Sequence, residues 1–304
     1  MALVVWFLVR NTLINMRSRG IQSGFDFLTS PAGFDIGEGL FDFDSAQAYW
    51  LAFAAGLLNT LRVALLGIVL TTVWGVLLGV GRFSRNALMR GMCRVYVEFF
   101  RNVPLLLQLL MWYLIFTEVL PDALQPWQWG HFFLSKGGVN FPVPVWGTWP
   151  VSLNVPFQGE FAVEGGGALT PEFMALLLGL TAYTAAFVAE VVRAGIQSVP
   201  TGQREAANAL ALSRWQEMRL VILPQALRVI IPSMTNQYLN LTKNSSLAVA
   251  IGYPDLVSIA NTALNQTGRA VECIALIMLV YLVISLFTSI VMNVYNARAA
   301  IRER

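Results

Sequence analysis

Five long apolar runs constrain the fold of this chain more than any other feature of its sequence. Each run is long enough to cross roughly 30 Å of hydrocarbon as a helix. The chain has 304 residues, of which 56% are hydrophobic and 12% charged, more apolar side chains than one water-soluble core can hide. We therefore expect an all-α integral membrane protein. The predicted spans are 49–81, 95–120, 171–195, 226–251 and 272–297.

A shorter apolar run, MALVVWFLV, begins the sequence. It is too short to cross a bilayer alone, and no small-residue cleavage site of a secretory signal peptide follows it. A signal-peptide core is the alternative, but we expect residues 1–16 to form a transmembrane helix that is truncated or misannotated at its start. An outer (periplasmic) segment over 17–48 and a membrane domain over 49–304 follow.

Arginine accumulates in three segments that alternate with acidic ones. By the positive-inside rule these three segments are cytoplasmic, which places the C-terminus inside and residues 121–170 outside. Arg10, Arg17 and Arg19 are the exception, because they follow the first run on the side expected to be outer. The arginines of the three segments are Arg82, Arg85, Arg90, Arg94 and Arg101; Arg193, Arg204, Arg214, Arg219 and Arg228; and Arg298, Arg302 and Arg304.

The outer insertion over 121–170 is the most irregular part of the sequence. Its many prolines and glycines exclude a long helix and favour turns or short strands. Four tryptophans indicate either an aromatic belt at the membrane surface or a docking surface for an external partner. These are Trp127, Trp129, Trp146 and Trp149.

Several classes of function are disfavoured. The net charge is +3, but the basic residues are spread over separate loops rather than gathered in one stripe, so we expect no nucleic-acid partner. Cys93, Cys273 and the single histidine, His131, cannot form a metal cluster or a catalytic set within this chain. We expect no catalytic residue, no metal site and no cofactor. No GxxxxGK[ST] sequence is present, so ATP dependence would need a separate subunit.

Residues 196–225, which we call the polar segment, interrupt the apolar runs. Pro200 and Gly202 favour a break followed by a short helix from about Gln203. Ser213 and Gln216 fit a capping box that starts a second short helix, and Pro224 marks the start of the next span. Trp215, Met218 and Leu220 are left for apolar contacts. Such an amphipathic pair suits either a groove in another protein or the surface of an anionic leaflet.

One motif in the polar segment resembles the EAA loop of ATP-binding-cassette importer permeases. Glu205, Ala206 and Ala207 are followed after three residues by Ala211, and after nine more by VILP at 221–224. The family usually has glycine at the position of Ala211. Because alanine adopts a positive φ less readily, we expect the bend between the two helices to be less sharp than in relatives, or to be supplied by the Ser213 cap.

Further sequence blocks resemble the polar amino acid permeases of the histidine, glutamine and arginine type, and cover most of the chain from residue 49 onward. The extra N-terminal segment and the outer insertion also resemble the permease subunit of general L-amino acid transport systems of Gram-negative bacteria. The resemblance implies a five-helix type I importer core with the MetI-like fold, in the bacterial inner membrane. The blocks are 59–70, 96–109, 196–207, 223–232 and 241–256.

The resemblance also implies partners. These are two ATP-binding subunits that hold ATP and magnesium, a homologous second permease or a second copy of this chain, a periplasmic amino-acid-binding protein, and membrane lipid. The polar segment would then dock on the ATPase and couple it to the substrate pathway. The coupling residues are Gly202, Glu205, Ala206, Ala207, Ala211, Ser213, Trp215, Leu223 and Pro224.

Charged and polar residues near membrane depth are candidates for the substrate pathway or a gate, because burying them is costly. The alternatives are local ion pairs for Glu98 with Arg101 and for Glu190 with Arg193, and a structural turn for the block that follows the fourth span. That block, which matches a family motif, contains Lys243, Asn244, Ser245 and Ser246.

Three other positions carry structural expectations. Arg62 is expected to snorkel toward the outer surface. Gly75 and Gly79 form a GxxxG spacing that favours close helix packing within the chain over subunit pairing. Pro232 is expected to kink the fourth span.

Two rival classes differ from a permease of this family. A secondary transporter or channel would carry its own coupling site and usually shows internal repeats, which the sequence lacks. A membrane enzyme would need a convergent catalytic set, and no motif surrounds His131.

Overall fold

The computed structural model describes residues 2–18, 20, 23–145, 152–160 and 162–299. Arg19, Trp146, Trp149, Arg302 and Arg304, which entered the sequence-based predictions, lie outside these residues. The chain forms two compact units. One contains Met1–Leu61 and Pro254–Ile284, and the other contains Arg62–Tyr253 and Ser285–Arg304.

Ten α-helices are found in the part of the chain that the structure describes. Two π-helical stretches, Ile115–Val119 and Glu217–Ile222, continue α4 and α7, and a 3-10 stretch, Ser245–Ile251, continues α8. The helices are α1 Ala2–Ser18, α2 Tyr49–Gly81, α3 Ala87–Asn102, α4 Leu105–Leu114, α5 Pro171–Gln197, α6 Thr201–Ala209, α7 Arg214–Gln216, α8 Leu223–Asn244, α9 Leu256–Thr267 and α10 Ala270–Ala299.

Four helical stretches of the described chain are long and apolar enough to cross a membrane: Tyr49–Gly81, Pro171–Gln197, Arg214–Ile251 and Ala270–Val294. They confirm the spans predicted over 49–81, 171–195 and 272–297. The fourth differs, because it begins at Arg214 rather than at 226. Its helix runs through Pro224, where the preceding π-helical turns accommodate the missing N–H.

The span predicted over 95–120 is not one continuous helix. It falls in a pair of helices, α3 with α4 and its π-helical end, which is bent by 105° and is long and apolar enough to form a span as a pair. The break lies at Val103 and Pro104, because proline cannot donate the next helical hydrogen bond. The side-chain amide of Gln108 donates to the carbonyl groups of Phe100 at 3.0 Å and Val103 at 2.8 Å, which satisfies acceptors freed by the break.

The N-terminal segment is helical, as expected, over Ala2–Ser18. Its 17 residues give a length of about 26 Å, short of the roughly 30 Å of a hydrocarbon core. A transmembrane role for this helix stays a prediction.

In the larger unit, α5 is the helix around which the others pack. Its sequence contains both bulky and small residues, and it contacts α3, α4 and α8. The GxxxG of α2 packs against it, which confirms close packing within the chain. A Cβ on Gly79 would lie 2.7 Å from Cβ of Val192 and 2.9 Å from the carbonyl oxygen of Ala189. Gly75 faces Val188 and the carbonyl of Ala185 in the same way.

The smaller unit surrounds an aromatic cluster that contains Phe27, Phe43 and Tyr49. The Nδ2 atom of Asn59, which is fully buried, donates to the carbonyl groups of Glu38 at 2.8 Å and Pro254 at 3.0 Å. These bonds tie the outer segment to the start of α9. The sequence analysis missed α9, because a 12-residue helix is too short to register as a span.

An ion pair closes the other end of the smaller unit. Arg269 binds Asp26 through two parallel contacts, Nη1 to Oδ1 at 2.6 Å and Nη2 to Oδ2 at 2.9 Å. This hydrogen bonding and the charge of Arg269 lower the pKa of Asp26. Glu272 accepts from the backbone N–H of Gly24 at 2.7 Å. Arg269, just before α10, and Glu272, in its first turn, thus both hold the outer segment.

The outer insertion forms the short strands that its composition favoured. Strands β1 Trp127–Trp129, β2 Phe132–Ser135, β3 Gly138–Phe141 and β8 Gly167–Leu169 form one antiparallel sheet in the order β1-β2-β3-β8. Two smaller ribbons pair β4 Val143–Val145 with β5 Ser152–Asn154, and β6 Phe157–Gln158 with β7 Val163–Glu164. The fold is therefore helical with a small β insertion.

The close packing of α2 on α5 predicts a large effect of one added methyl group. We expect Gly79→Ala to lower stability by about 1 to 3 kcal/mol, because a carbonyl oxygen and a helix-bound Val192 block the Cβ position. Thermal unfolding of the purified chain in detergent measures this. Gly91→Ala on α3 is the matched control, since its Cβ would meet open space. Equal melting temperatures for the two variants would contradict the packing.

Asp255 predicts a pH dependence of the smaller unit. Its Oδ1 caps α9 by accepting from Ser258 N–H at 2.8 Å, and burial raises its pKa to about 7. Because the folded state holds a proton that the unfolded chain releases above its ordinary pKa of 3.8, stability falls as pH rises toward and through about 7.

Asp255→Asn keeps a capping oxygen but carries no charge. We expect the variant to lose part of the decline in melting temperature between about pH 5.5 and about pH 8, and to exceed the wild-type chain in stability at the upper end. If the melting temperatures of the two proteins changed in parallel with pH, a protonated Asp255 would be contradicted.

Candidate functional site

The polar segment folds into a short helix, a turn and a second helix. Helix α6 begins after Pro200, whose ring suits a helix start because its missing N–H would be unpaired there. Gly202 is exposed, has no positive φ, and would have open space at its Cβ. Neither backbone conformation nor packing within the described chain therefore requires a glycine at 202.

The turn after α6 is a Schellman motif centred on Ala211. The N–H of Leu212 donates to the carbonyl of Ala207 at 3.1 Å, and the N–H of Ala211 donates to that of Asn208 at 2.9 Å. Ala211 has φ of 54° and is the one non-glycine residue with positive φ among the described residues. The expectation of a less sharp bend is wrong, because alanine takes the conformation that glycine usually provides.

The capping box predicted at the second helix is confirmed. The backbone N–H of Gln216 donates to Oγ of Ser213 at 3.4 Å, and that of Ser213 donates to Oε1 of Gln216 at 2.9 Å. The Ser213 cap follows the bend at Ala211 rather than replacing it. Trp215 lies in the first turn of this helix and is 71% exposed.

The sequence suggested that the second helix is a separate short element, but in the structure it continues into the next span. Helix α7, the π-helical stretch and α8 form one continuous rod, and with the 3-10 end they make up the 38 residues of Arg214–Ile251. The side chain of Gln225 donates to the carbonyl of Val221 at 2.9 Å, beside Pro224. Trp215 therefore lies in the first turn of a helical stretch that is long and apolar enough to cross a membrane.

The first helix is fixed to a different span. Arg204 on α6 donates from Nη2 to the carbonyl of Ile196 at 3.0 Å, near the end of α5. Ala207 is only 3% exposed, and α6 packs on the π-helical stretch. The sequence analysis gave Arg204 no such role, because only the fold shows which carbonyl it reaches.

The outward surface of the polar segment combines large apolar side chains with polar and charged ones, such as Arg214 and Gln216. Glu205, Ala206 and Ser213 are exposed, and Leu210 is 76% exposed. One sequence-based assignment needs correction. Ala207 was predicted to be a coupling residue, but it is buried inside the segment and leaves no surface for a partner. Met218 makes an apolar contact, as predicted, because it packs against the core around Val192. Leu223 stays partly exposed beside Pro224.

Arg101, Glu190 and Arg193, which were predicted to belong to two separate local ion pairs, form one network. Glu190 contacts Arg193, as expected, and also Nη1 of Arg82 at 2.6 Å and Nη1 of Arg101 at 3.8 Å. The predicted pair between Glu98 and Arg101 is wrong, because Arg101 reaches Glu190 instead and Glu98 is exposed. Arg82 was missed; its position directly after a span, at the same membrane side as Glu190, was the available signal.

The block after the fourth span is a tightened continuation of that span. Ser245 is fully buried and its hydroxyl donates to the carbonyl of Thr242 at 2.7 Å, while Ser246 donates to that of Lys243 at 2.7 Å. Both hydroxyls thus bond within the helix. Lys243 is exposed and Asn244 partly so. The four residues are not brought together with Glu190 or Arg101.

Arg62 does not simply extend to the surface. Its guanidinium lies over the ring of Phe173, 4.2 Å from the centroid, which is a cation–π contact with a ring at the start of α5. Pro232 lies inside α8, and the helix continues through it.

Comparison with known proteins assigns the chain to a family. The model of binding-protein-dependent transport system inner membrane components matches residues 67–301. The general L-amino acid transport system permease protein AapQ of Rhizobium johnstonii is 41% identical, over 99% of this chain and 89% of that protein. This chain belongs to the binding-protein-dependent transport permease family.

Two further relatives come from one organism, Escherichia coli O6:H1. The glutamate/aspartate import permease protein GltJ is 33% identical over 80% of this chain and 85% of its own length. GltK, another glutamate/aspartate import permease protein, is 31% identical over 81% of this chain and 92% of its own length.

Solved structures confirm the permease fold. A crystal structure of an amino acid ABC transporter with histidines matches 82% of this chain and 95% of its own, with a TM-score of 0.62 and 26% identity. An inward-facing MetNI methionine ABC transporter matches 83% and 94%, with a TM-score of 0.51 and 20% identity. The MetI-like fold of type I importers, expected from the resemblance, is thereby shown.

The strained turn of the polar segment yields a prediction. A left-handed alanine costs roughly 1 to 2 kcal/mol, so Ala211→Gly should raise the stability of this segment by about 1 kcal/mol. Hydrogen exchange of the amides at 207–212 should slow accordingly. Ala206→Gly, inside α6, is the control and should speed exchange, because glycine weakens a helix interior. Faster exchange in both variants would contradict the turn geometry.

Proposed function

We propose that this chain is the permease subunit of an ATP-driven amino acid importer and that its polar segment docks on a separate ATPase. The observation that carries the proposal is the connection of one exposed surface to two membrane spans. The amino acid cargo is supported by the relatives, which are named for L-amino acid and glutamate/aspartate transport.

The docking surface consists of Glu205, Ala206, Leu210 and Trp215. Two large apolar side chains near a carboxylate suit a groove that has apolar pockets and one basic or amide group. Leu210 and Trp215 are the anchors, because large exposed side chains bury the most area on binding. Gly202 and Ala206 leave the surface beside them open.

Displacement of the docked surface reaches the membrane by two routes. Arg204 transmits it to α5 through the carbonyl of Ile196, and the rod from Arg214 transmits it to α8. Closure of an ATPase dimer would therefore move α5 and α8 together and alternate access to the pathway. The left-handed turn at Ala211 fixes the angle between the two routes.

The proposal assigns ATP and magnesium to the partner subunits. Two such ATPases would bind a pair of permeases, each through its own polar segment. The occurrence of GltJ and GltK in one organism supports a homologous second permease, and a pair of identical chains is the alternative. A periplasmic amino-acid-binding protein would deliver the substrate.

The location follows from the same arrangement. The family is a component of the inner membrane, and a docked cytoplasmic ATPase requires the polar segment inside. The arginines of the 82–101 segment then share that side, and the C-terminus is cytoplasmic by the parity of the spans.

The substrate pathway remains a proposal at residue level. Lys243 is the best candidate for a pathway or gate, because its charged side chain is exposed at the end of a span. Asn244 neighbours it, whereas Ser245 and Ser246 bond to helix carbonyls. The network of Glu190 with Arg101 is better suited to hold helices together than to bind a passing substrate.

Charge reversal at Glu205 tests the docking. In the complex purified with its ATPase, Glu205→Lys should reduce retention of the ATPase at least about tenfold and abolish ATP-dependent uptake in proteoliposomes. Glu160→Lys, an equal change at an exposed position of the outer insertion, should retain the ATPase. Trp215→Ala should weaken retention as well.

Three outcomes decide against the proposal. Normal ATPase retention by Glu205→Lys would show that the polar segment is not the docking site. Loss of the variant from the membrane would indicate a structural role for Glu205. Uptake by the purified chain alone, without ATP, would favour a secondary transporter or channel whose polar segment lies on the leaflet.

A further inference from the structure

A basic pocket of about 330 Å³ lies beside the end of α2, between α3 and α5. Four arginines line it, and we call it the arginine pocket. They are Arg82, Arg90, Arg94 and Arg193. No step of the proposed coupling uses this pocket.

Glu190 neutralises only part of the charge around the arginine pocket. Its carboxylate contacts Arg82 and Arg193. Arg90 donates from Nη1 to the backbone carbonyl of Ser84 at 3.1 Å, which positions its guanidinium without cancelling its charge. Four guanidinium groups against one carboxylate leave an excess of positive charge, which favours an anionic occupant.

An apolar groove of about 640 Å³ continues from the arginine pocket along α3. The two cavities share Ala87 and Gly91 in their walls. Farther along, Met92, Val95 and Phe99 are 62%, 68% and 50% exposed. Because these positions recur three and four apart, they form one apolar stripe on the helix.

The opposite face of α3 is already used by the fold. Cys93 and Val97 are buried against α5 residues Ala185 and Ala189. The exposed stripe is therefore a second apolar surface, separate from the one that holds α3 in place. A helix with arginines beside such a stripe is typical of segments that lie in the membrane interface.

The bend between α3 and α4 gives α3 this orientation. The two helices diverge by 105°, so if α4 crosses the membrane, α3 runs close to the membrane plane. The stripe then faces acyl chains, while Arg90 and Arg94 lie at the depth of lipid headgroups on the arginine-rich, cytoplasmic side.

We propose that the arginine pocket and the groove on α3 together bind one anionic phospholipid of the cytoplasmic leaflet. The lipid phosphate lies among Arg82, Arg90 and Arg94, since guanidinium groups pair with phosphate oxygens in two-point contacts. An acyl chain lies along Met92, Val95 and Phe99. A zwitterionic lipid fits less well, because its ammonium group meets the excess positive charge.

Two other occupants explain only half of the site. A second permease subunit would cover the apolar stripe but would leave the arginine pocket without a counter-charge. A free phosphate ion would fill the pocket but would leave the groove empty. The continuity of the two cavities at Ala87 and Gly91 favours one molecule with both chemistries.

Lipid retention measured by native mass spectrometry tests the site. The full chain, with its copurifying subunits, is equilibrated in micelles that contain equal amounts of phosphatidylglycerol and phosphatidylcholine. The wild-type protein should retain phosphatidylglycerol preferentially. Arg90→Gln/Arg94→Gln should lower that retention about tenfold without changing phosphatidylcholine, since each arginine near the surface contributes to anionic lipid binding.

Matched variants separate the site from general charge effects. Arg85→Gln/Arg228→Gln removes the same charge from exposed positions that do not line the arginine pocket, and should retain phosphatidylglycerol normally. Met92→Gln/Val95→Gln should lower retention through the groove alone. Gel filtration and melting temperature establish that each variant is folded, and Arg82 and Arg193 are left intact because they hold Glu190.

Four results would overturn the proposal. The first is equal retention of the two lipids by the wild-type chain, and the second is an equal loss of phosphatidylglycerol in the two arginine double variants. The third is a rise in the melting temperature of the wild-type chain with inorganic phosphate that is as large as the rise with phosphatidylglycerol. The fourth is a change of subunit composition rather than of bound lipid in Met92→Gln/Val95→Gln. The proposal is independent of the polar segment, so ATPase retention by Glu205→Lys does not bear on it.

Discussion

The close approach of α2 to α5 sets the geometry of the larger unit. In lipid there is little hydrophobic force between helices, so association depends on van der Waals packing and on polar contacts. Gly75 and Gly79 let Val188 and Val192 pack directly on the α2 backbone. Arg82 follows Gly79 by three residues, and Glu190 lies between those two valines. The glycines therefore bring Arg82 within reach of Glu190, which also contacts Arg101 and Arg193.

The polar segment depends on α5 in turn. The end of α5 provides the carbonyl of Ile196 that holds Arg204, and its inner face packs against α8. Gly195 is part of that packing, because a Cβ there would meet Ile230 and the carbonyl of Ala226. A surface made of two short helices is thus attached to two spans. A coupling element needs such an attachment, since a flexible connection would absorb displacement instead of transmitting it.

The sequence-based predictions that rest on the spacing of nearby residues were the most accurate. The capping box at Ser213 and the GxxxG packing rest on spacings of three or four residues, and the structure has both. The left-handed Ala211 was missed, because propensity argues against it and only the Schellman hydrogen bonds around it offset the cost. The bend at Pro104 was missed for a different reason, since an apolar run conceals a change of helix direction.

Long-range contacts were the least accessible to sequence analysis. Spacing along a helix indicated two separate pairs near membrane depth, yet Arg82 and Arg101 both reach Glu190 from other helices. Helix α9 and its cap, Asp255, lie in a stretch too short and too mixed in polarity to register as a span. Such features follow from which helices become neighbours, and that information lies in the packing of α2 and α5 rather than in any one segment.

The arginines around the end of α2 form one cluster, to which the proposed lipid site gives a second role. A single carboxylate cannot neutralise the guanidinium groups of both α3 and its neighbours, so Glu190 holds Arg82, Arg101 and Arg193 while Arg90 and Arg94 keep their charge. The positive-inside rule is usually treated as a property of topology. Here the same residues also shape a cavity whose wall continues into an apolar groove. In our proposal, the charge that the positive-inside rule relates to orientation also lies where a lipid headgroup can contribute to the position of α3.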